Sequence, residues 1–169
     1  MTTTPITLPA GRVADPAVFR QVLGHVPTSV AIAAAIDTQG PFGIVIGSLV
    51  SISLDPPLVG MFIDNGSRSL PRLLAAPEIC INVLGAEQGQ FCKKFSRDKD
   101  SRFQCDSWHA QPEAAPRLRP ALAWIAGSLD RAIEIGDHHL IVLATHELKT
   151  NPSASESDPL IFFRGAFAA

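Results

Sequence analysis

Between Ser48 and Asp64 the chain reads SLVSISLDPPLVGMFID, with serines at 48, 51 and 53. Strand side chains alternate between faces. Alternation puts Val50, Ile52 and Leu54 on one side and Leu49, Ser51 and Ser53 on the other. Ser48 falls on the apolar side unless Gly47 introduces a bulge. Such a strand has two uses. Its hydroxyls face water, or they line a shelf where a flat ligand lies against the backbone and is hydrogen-bonded along its rim. Two further groups carry chemistry. Arg68, between Ser67 and Ser69, has a planar fork suited to phosphate, and it also suits a solvated surface. His138, after Gly136 and Asp137, offers an imidazole for positioning a ligand or assisting protonation. The same residues also make an ordinary hairpin turn.

Short elements must hold these groups. Asp15-Pro16 reads as a helix start. Val18, Phe19, Val22 and Leu23 follow at helical spacing, so this helix is expected to bury one face, and Gly24 to end it. Strands are expected at VAIAAAI, GIVIGSLVSISL, LVGMFI, EICINVL, ALAWIAGSLDRAIEI, HHLIVLATHEL and PLIFF. Asp55-Pro56-Pro57 reads as a tight corner, because two ring nitrogens cannot donate to a ladder. SRSLPRLLAA and AEQGQFCKKF read as short helices, and KTNPSASESDP as a loop. Helices do not alternate with strands, so the expectation is a mainly β fold, an antiparallel barrel or sandwich with a few short peripheral helices. Residues 1–14 read as a flexible arm before a single domain spanning 15–169.

Composition narrows the function classes. Hydrophobic residues make up 46% of the 169 and charged residues 18%, as in a soluble globular protein. A net charge of -2 offers no general attraction for nucleic acid or an anionic membrane. No apolar stretch approaches the roughly 20 residues of a membrane span, and the opening MTTTPITLPAGR does not read as a secretory signal. Cys80, Cys92 and Cys105 lack zinc-ligand spacing, and free thiols in a reducing cytoplasm are the simplest account. The run KKFSRDKDSR interleaves acids with bases and reads as a salt-bridged surface. No nucleophile-elbow motif occurs. Trp108 and Trp124 read as core or interface residues.

The order of these pieces resembles the short-chain flavin reductases, which have an FMN-binding Greek-key split barrel. The resemblance runs from about Phe19 to Phe167, through FRQVLGHVPTSVAI, GIVIGSLVSISLDPPLV, SRS, INVLGAEQGQFCKKF, RF, GDHHLIV and PLIFFRGAF. Ser-x-Ser-x-Asp-Pro-Pro is its most specific part. It implies an NAD(P)H:flavin oxidoreductase that passes hydride to FMN or FAD, with NADH or NADPH as reductant. It also implies a cytoplasmic homodimer with flavin near the subunit boundary, supplying reduced flavin to a separate flavin-dependent oxygenase.

By resemblance, Val45, Ile46, Gly47, Ser48, Leu49, Ser51 and Ile52 would line the isoalloxazine, with Thr28 and Ser29 approaching from an adjacent strand. Ser67, Arg68 and Ser69 match the phosphate side, and Phe95 and Ser96 the closure over the flavin tail. Gly136, Asp137 and His138 match the turn facing the nicotinamide. His138 is the catalytic candidate, and Arg164 is an even choice between pocket and surface. His139, of opposite strand parity, reads as structural or exposed. The chain departs from the family pattern at Ser29, Val45, Gly47 and Leu49. The alternative is a flavin-binding or electron-carrying split barrel without turnover. A split-barrel oxidase of the pyridoxamine-phosphate type is disfavoured, because this sequence shows no convincing cluster of basic residues for its substrate phosphate.

Overall fold

The computed structural model describes residues 14–97, 102–104, 107–109, 114–154 and 156–168. The arm expected over residues 1–14 lies outside them except at its last residue, and Cys105 lies outside them altogether.

The core is an antiparallel seven-stranded sheet in the order β3-β2-β6-β9-β10-β5-β4. Its strands are β2 (Ala31–Asp37), β3 (Gly40–Ile46), β4 (Val50–Leu54), β5 (Pro57–Asp64), β6 (Ile79–Val83), β9 (Ala123–Ile135) and β10 (His138–Thr150). Consecutive strands β3 and β4 lie at opposite edges, so residues 47–49 carry the chain from one edge to the other. The sheet curls around a filling of Ala31, Ala33, Phe42, Ile46, Met61, Ile63, Ile79, Ile81, Ile141 and Leu143, closing β3 towards β5. This is the expected Greek-key split barrel. The small residues of AIAAAI have a purpose here: Ala31, Ala33 and Ala35 face the filling, while Ile32 and Ala34 face a second cluster outside the sheet.

That second cluster is covered by α3 (Gly89–Arg97), by β7 (Trp108–His109) with β8 (Arg117–Leu118), and by the approach to the last strands. Phe95 packs among Phe91, Phe103 and Trp108, with ring centroids 5.5–6.1 Å away. Asn82 is buried there yet satisfied. Its amide donates to the carbonyls of Ile32, Cys80 and Pro116, and its Oδ1 accepts from the Leu118 N–H. Burial raises the Cys80 thiol to about 12 and the Cys92 thiol to about 11, so both are inert in this fold. β1 (Thr28–Ser29), β11 (Ile161–Phe163) and β12 (Ala166–Ala168) form a separate small sheet.

Two expectations about local structure need correction. α1 (Pro16–Leu23) begins as expected, with Asp15 Oδ1 accepting from the Ala17 and Val18 N–H groups at 2.6 and 3.4 Å. Its apolar face, however, is not buried: Val18, Phe19, Val22 and Leu23 are each at least 50% exposed. Nor does β4 alternate cleanly. Ser51 opposes Val59 and Ser53 opposes Leu58, so Ile52 is an extra residue in the ladder, a bulge that resets the faces.

Candidate functional site

The connection from β5 to α2 (Leu70–Ala75) builds one wall of a cleft. Asp64 Oδ1 accepts from the Gly66 N–H at 2.6 Å, and the Asp64 carbonyl accepts from Ser67 N–H at 2.9 Å. The Ser67 hydroxyl accepts from the Ser69 N–H, and α2 (Leu70–Ala75) starts immediately after. Pro71 lies in its first turn, where its missing donor costs nothing. The opposite wall is the Gly43, Ile44 and Val45 stretch of β3, with Ser96 from the end of α3 and Arg102. These residues and Gly66, Ser67, Arg68 and Ser69 enclose about 410 Å³.

The cleft is cationic and rich in donors. Arg68 is exposed on its rim, with no hydrogen bond or ion pair among the described residues. The Ser69 hydroxyl makes no cap bond to α2. Arg102 instead fastens the walls together, donating to the carbonyls of Phe95 at 2.5 Å, Gly43 at 3.0 Å and Ser96 at 3.3 Å. Its guanidinium also lies 4.9 Å from the Phe95 ring centre.

Of the residues expected to bind flavin, the structure brings Val45, Ser67, Arg68, Ser69 and Ser96 into this cleft. Phe95 and Ile46 are close by in sequence but buried in the two cores, with 2% and 4% exposure. Thr28 and Ser29 pair with Phe162 and Ile161, and a side chain at Gly47 would meet Thr28 Oγ1 at 2.9 Å, which explains the glycine. Ser48 is already engaged. Its Oγ accepts from the Phe62 N–H at 2.9 Å and donates to the Phe62 carbonyl at 3.2 Å, standing in for a partner strand on β5 just before β4 begins. Leu49 is half-buried against the barrel filling. Ser51 is exposed, and Ile52 packs towards Gly60.

The β9–β10 turn stands beside the first wall. Gly136 takes φ +62°, which suits a two-residue hairpin turn, and His138 opposes Asp64 of β5. The His138 Nδ1 lies 2.7 Å from Asp137 Oδ1, and this hydrogen bond holds the Asp137 carboxyl below its ordinary range. Arg164 lies elsewhere, on the β11–β12 turn, where its N–H donates to the Gly24 carbonyl and its guanidinium stacks on Phe163.

Gly43, Ile44, Gly66 and Arg102 line the cleft without having been singled out. Arg102 belongs to the RF piece of the resemblance but carried no assigned role, because Asp98, Lys99 and Asp100 nearby suggested a solvated surface. The adjoining Phe103, which packs on Phe95 and Trp108, was the available signal that the run turns inward.

Known proteins carry the same frame. The flavin reductase of Pseudomonas putida is 35% identical over 154 residues, covering 90% of this chain and 89% of that one. The reductase subunit HsaB of a flavin-dependent monooxygenase from Rhodococcus jostii is 36% identical over 159 residues, covering 94% and 80%. The solved structure of the NADH:FAD oxidoreductase SgcE6 of Streptomyces globisporus, in complex with NAD and FAD fragments, superposes with a TM-score of 0.83 at 26% identity, covering 94% and 96%. Residues 23–169 match the flavin reductase like domain, and with these relatives at this coverage the chain belongs to that family.

Proposed function

We propose that this protein is an NAD(P)H:flavin oxidoreductase that delivers reduced flavin to a separate flavin-dependent oxygenase. The observation that carries the reading is the adjacency of two features. A cationic cleft of about 410 Å³ has one wall at Gly66, Ser67, Arg68 and Ser69, and the Asp137–His138 turn is hydrogen-bonded to Asn65, the residue before that wall. The relatives' names point to the same activity.

The residues present suit a flavin nucleotide. Arg68 is an uncommitted cation at the rim, and the Ser67–Ser69 segment supplies hydroxyl and backbone groups for a phosphate. The β3 edge supplies a narrow floor on which a ring can lie. Bound flavin would contribute the redox chemistry by accepting hydride from the reduced nicotinamide. The protein orients the two rings, keeps water from between them and fixes the charge around them. His138, its Nδ1 held by Asp137, presents its remaining ring nitrogen for positioning the nicotinamide carboxamide. Val45, Ile46, Gly47, Ser48, Leu49, Ser51 and Ile52 are assigned to the isoalloxazine side through backbone groups more than side chains. Thr28, Ser29, Phe95 and Ser96 are assigned to its flanks.

We further read the working unit as a homodimer. The open apolar face of α1 supports this, as do Ile52, Phe62, Ile133 and Ile135 on the β4–β5–β10–β9 side, each 38–50% exposed. A cytoplasmic setting is supported by the buried free thiols Cys80 and Cys92.

The test is a steady-state assay crossing NADH and NADPH with FMN and FAD. Rapid pyridine-nucleotide oxidation that depends on added flavin is expected. Flavin binding without turnover would instead favour the electron-carrier reading. His138→Ala is expected to impair NADH oxidation more than flavin binding.

A further inference from the structure

One side chain ties the two halves of the proposed site together, and it belongs to neither. Asn65 follows the last residue of β5 and precedes Gly66 of the cleft wall. Its backbone N–H donates to the Asp137 carbonyl at 2.9 Å. Its side-chain Nδ2 donates to the Gly136 carbonyl and to Glu134 Oε1, both at 3.3 Å. Its Oδ1 lies 2.7 Å from His139 Nδ1. With two acceptors around Nδ2, the amide orientation is fixed, and Oδ1 is the acceptor from His139. Asn65 therefore grips the hairpin at its tip, through the Asp137 and Gly136 carbonyls, and at the Glu134–His139 pair, one step in from the closing Ile135–His138 pair.

The grip is needed because of where the hairpin stands. β9 pairs with β6 from Ala123 to Gly127, so, among the described residues, 128–135 have β10 on one side and no strand on the other. The glycine at the tip adds backbone freedom. Asn65 joins this extended tip to the turn carrying Ser67, Arg68 and Ser69.

We propose that Asn65 is a positioning residue for the reductase reaction. It sets the height of the Gly136–Asp137–His138 turn against the flavin-side wall, and so governs how well reduced nicotinamide is captured over the flavin. This rests on the proposed reductase function. Asn65 touches neither substrate, and its effect is transmitted through the turn.

The variants are Asn65→Ala and Asn65→Asp. The first removes all three side-chain bonds. The second keeps an acceptor for His139 and loses both donors to the turn. Each donated bond contributes modestly, so both variants should raise the KM for NADH by about fivefold while kcat stays within about twofold. The flavin dissociation constant, measured on the same preparations by fluorescence quenching, should stay within about twofold, which also reports that the fold is intact. An unchanged KM in Asn65→Ala overturns the inference. So does a wild-type KM in Asn65→Asp, which would assign the role to the His139 bond. A parallel loss of flavin affinity also overturns it, because Asn65 would then be serving the wall and not the turn. A wild-type protein that fails to oxidise NADH with any flavin overturns the proposed function and this inference with it. Turnover in the wild type with unaltered variants overturns the inference alone.

Discussion

α1 and α3 are similar in length and in apolar spacing, yet they are opposites in the fold. Each is eight or nine residues long and repeats apolar side chains at helical spacing: Val18, Phe19, Val22 and Leu23 in one, Phe91, Cys92 and Phe95 in the other. α3 sinks Cys92 and Phe95 to 0% and 2% exposure against the outside of β2, whereas α1 buries nothing. Helical periodicity announces that a face will be covered. It does not say which molecule covers it. An eight-residue helix is too short to persist in water on propensity alone, so α1 draws its support from its Asp15 cap, its tether through Gly24 to Arg164 and the partner proposed above.

The contrast can be broken or sharpened by substitution. Phe95→Ala should have the largest effect, a loss of about 3–5 kcal/mol in chemical denaturation, because the ring touches three other aromatics and abuts Gly43. A loss near that of an exposed residue would mean that α3 is as loosely held as α1. Val22→Asp is the counterpart. It should weaken self-association at least about tenfold, from the value of burying a valine, in sedimentation analysis. Its unfolding midpoint at high dilution should match wild type. A lowered midpoint in the dilute monomer would show that α1 packs on its own chain after all.

Arg102→Ala tests the bonds that secure α3 and that α1 lacks. Loss of about 2 kcal/mol is expected from its donated bonds, together with weaker flavin binding in titration calorimetry, since the same side chain joins the cleft walls. Stability and binding that respond separately would uncouple the helix from the cleft.

The smallest effect belongs to α2, held by a two-pronged pair from Arg72 to Asp37 at 2.6 and 2.7 Å. The Arg72 hydrogen bond lowers the Asp37 carboxyl from its ordinary 3.8. A lowered folded value stabilises above the unfolded value and ceases to do so as pH falls through the folded one. Arg72→Met should therefore cost less than about 1 kcal/mol at pH 7, and the deficit should shrink on acidification below about pH 4. A deficit independent of pH would assign the loss to the Arg72 stacking on Phe42, 3.9 Å from the ring centre.

Much of this architecture was legible beforehand, for local reasons. Asp15-Pro16, Asp55-Pro56-Pro57 and Gly136-Asp137 impose backbone shape wherever they occur, so the first helix start and two hairpin corners followed from them. Strand content followed from short apolar runs between turn residues. The illegible parts depend on distant partners. Counting by twos along β4 fails at Ile52, because the extra residue exists only relative to β5. The Ser48 hydroxyl offered itself to a ligand in the sequence, yet it is spent on Phe62, fourteen residues away. Arg102 depends on carbonyls brought from β3 and α3. The Ser67–Ser69 wall was found because its residues are neighbours, and the β3 wall only in part because its contribution is mostly backbone.

The crossing at residues 47–49 sets a limit on what the protein can tolerate. Three residues span the interval between the margins of the sheet, with Gly47 pressed on Thr28 and Ser48 stitched to Phe62. There is no slack in that span to absorb a graft. A peptide tag spliced between Ile46 and Val50 would free both margins and let the seam gape.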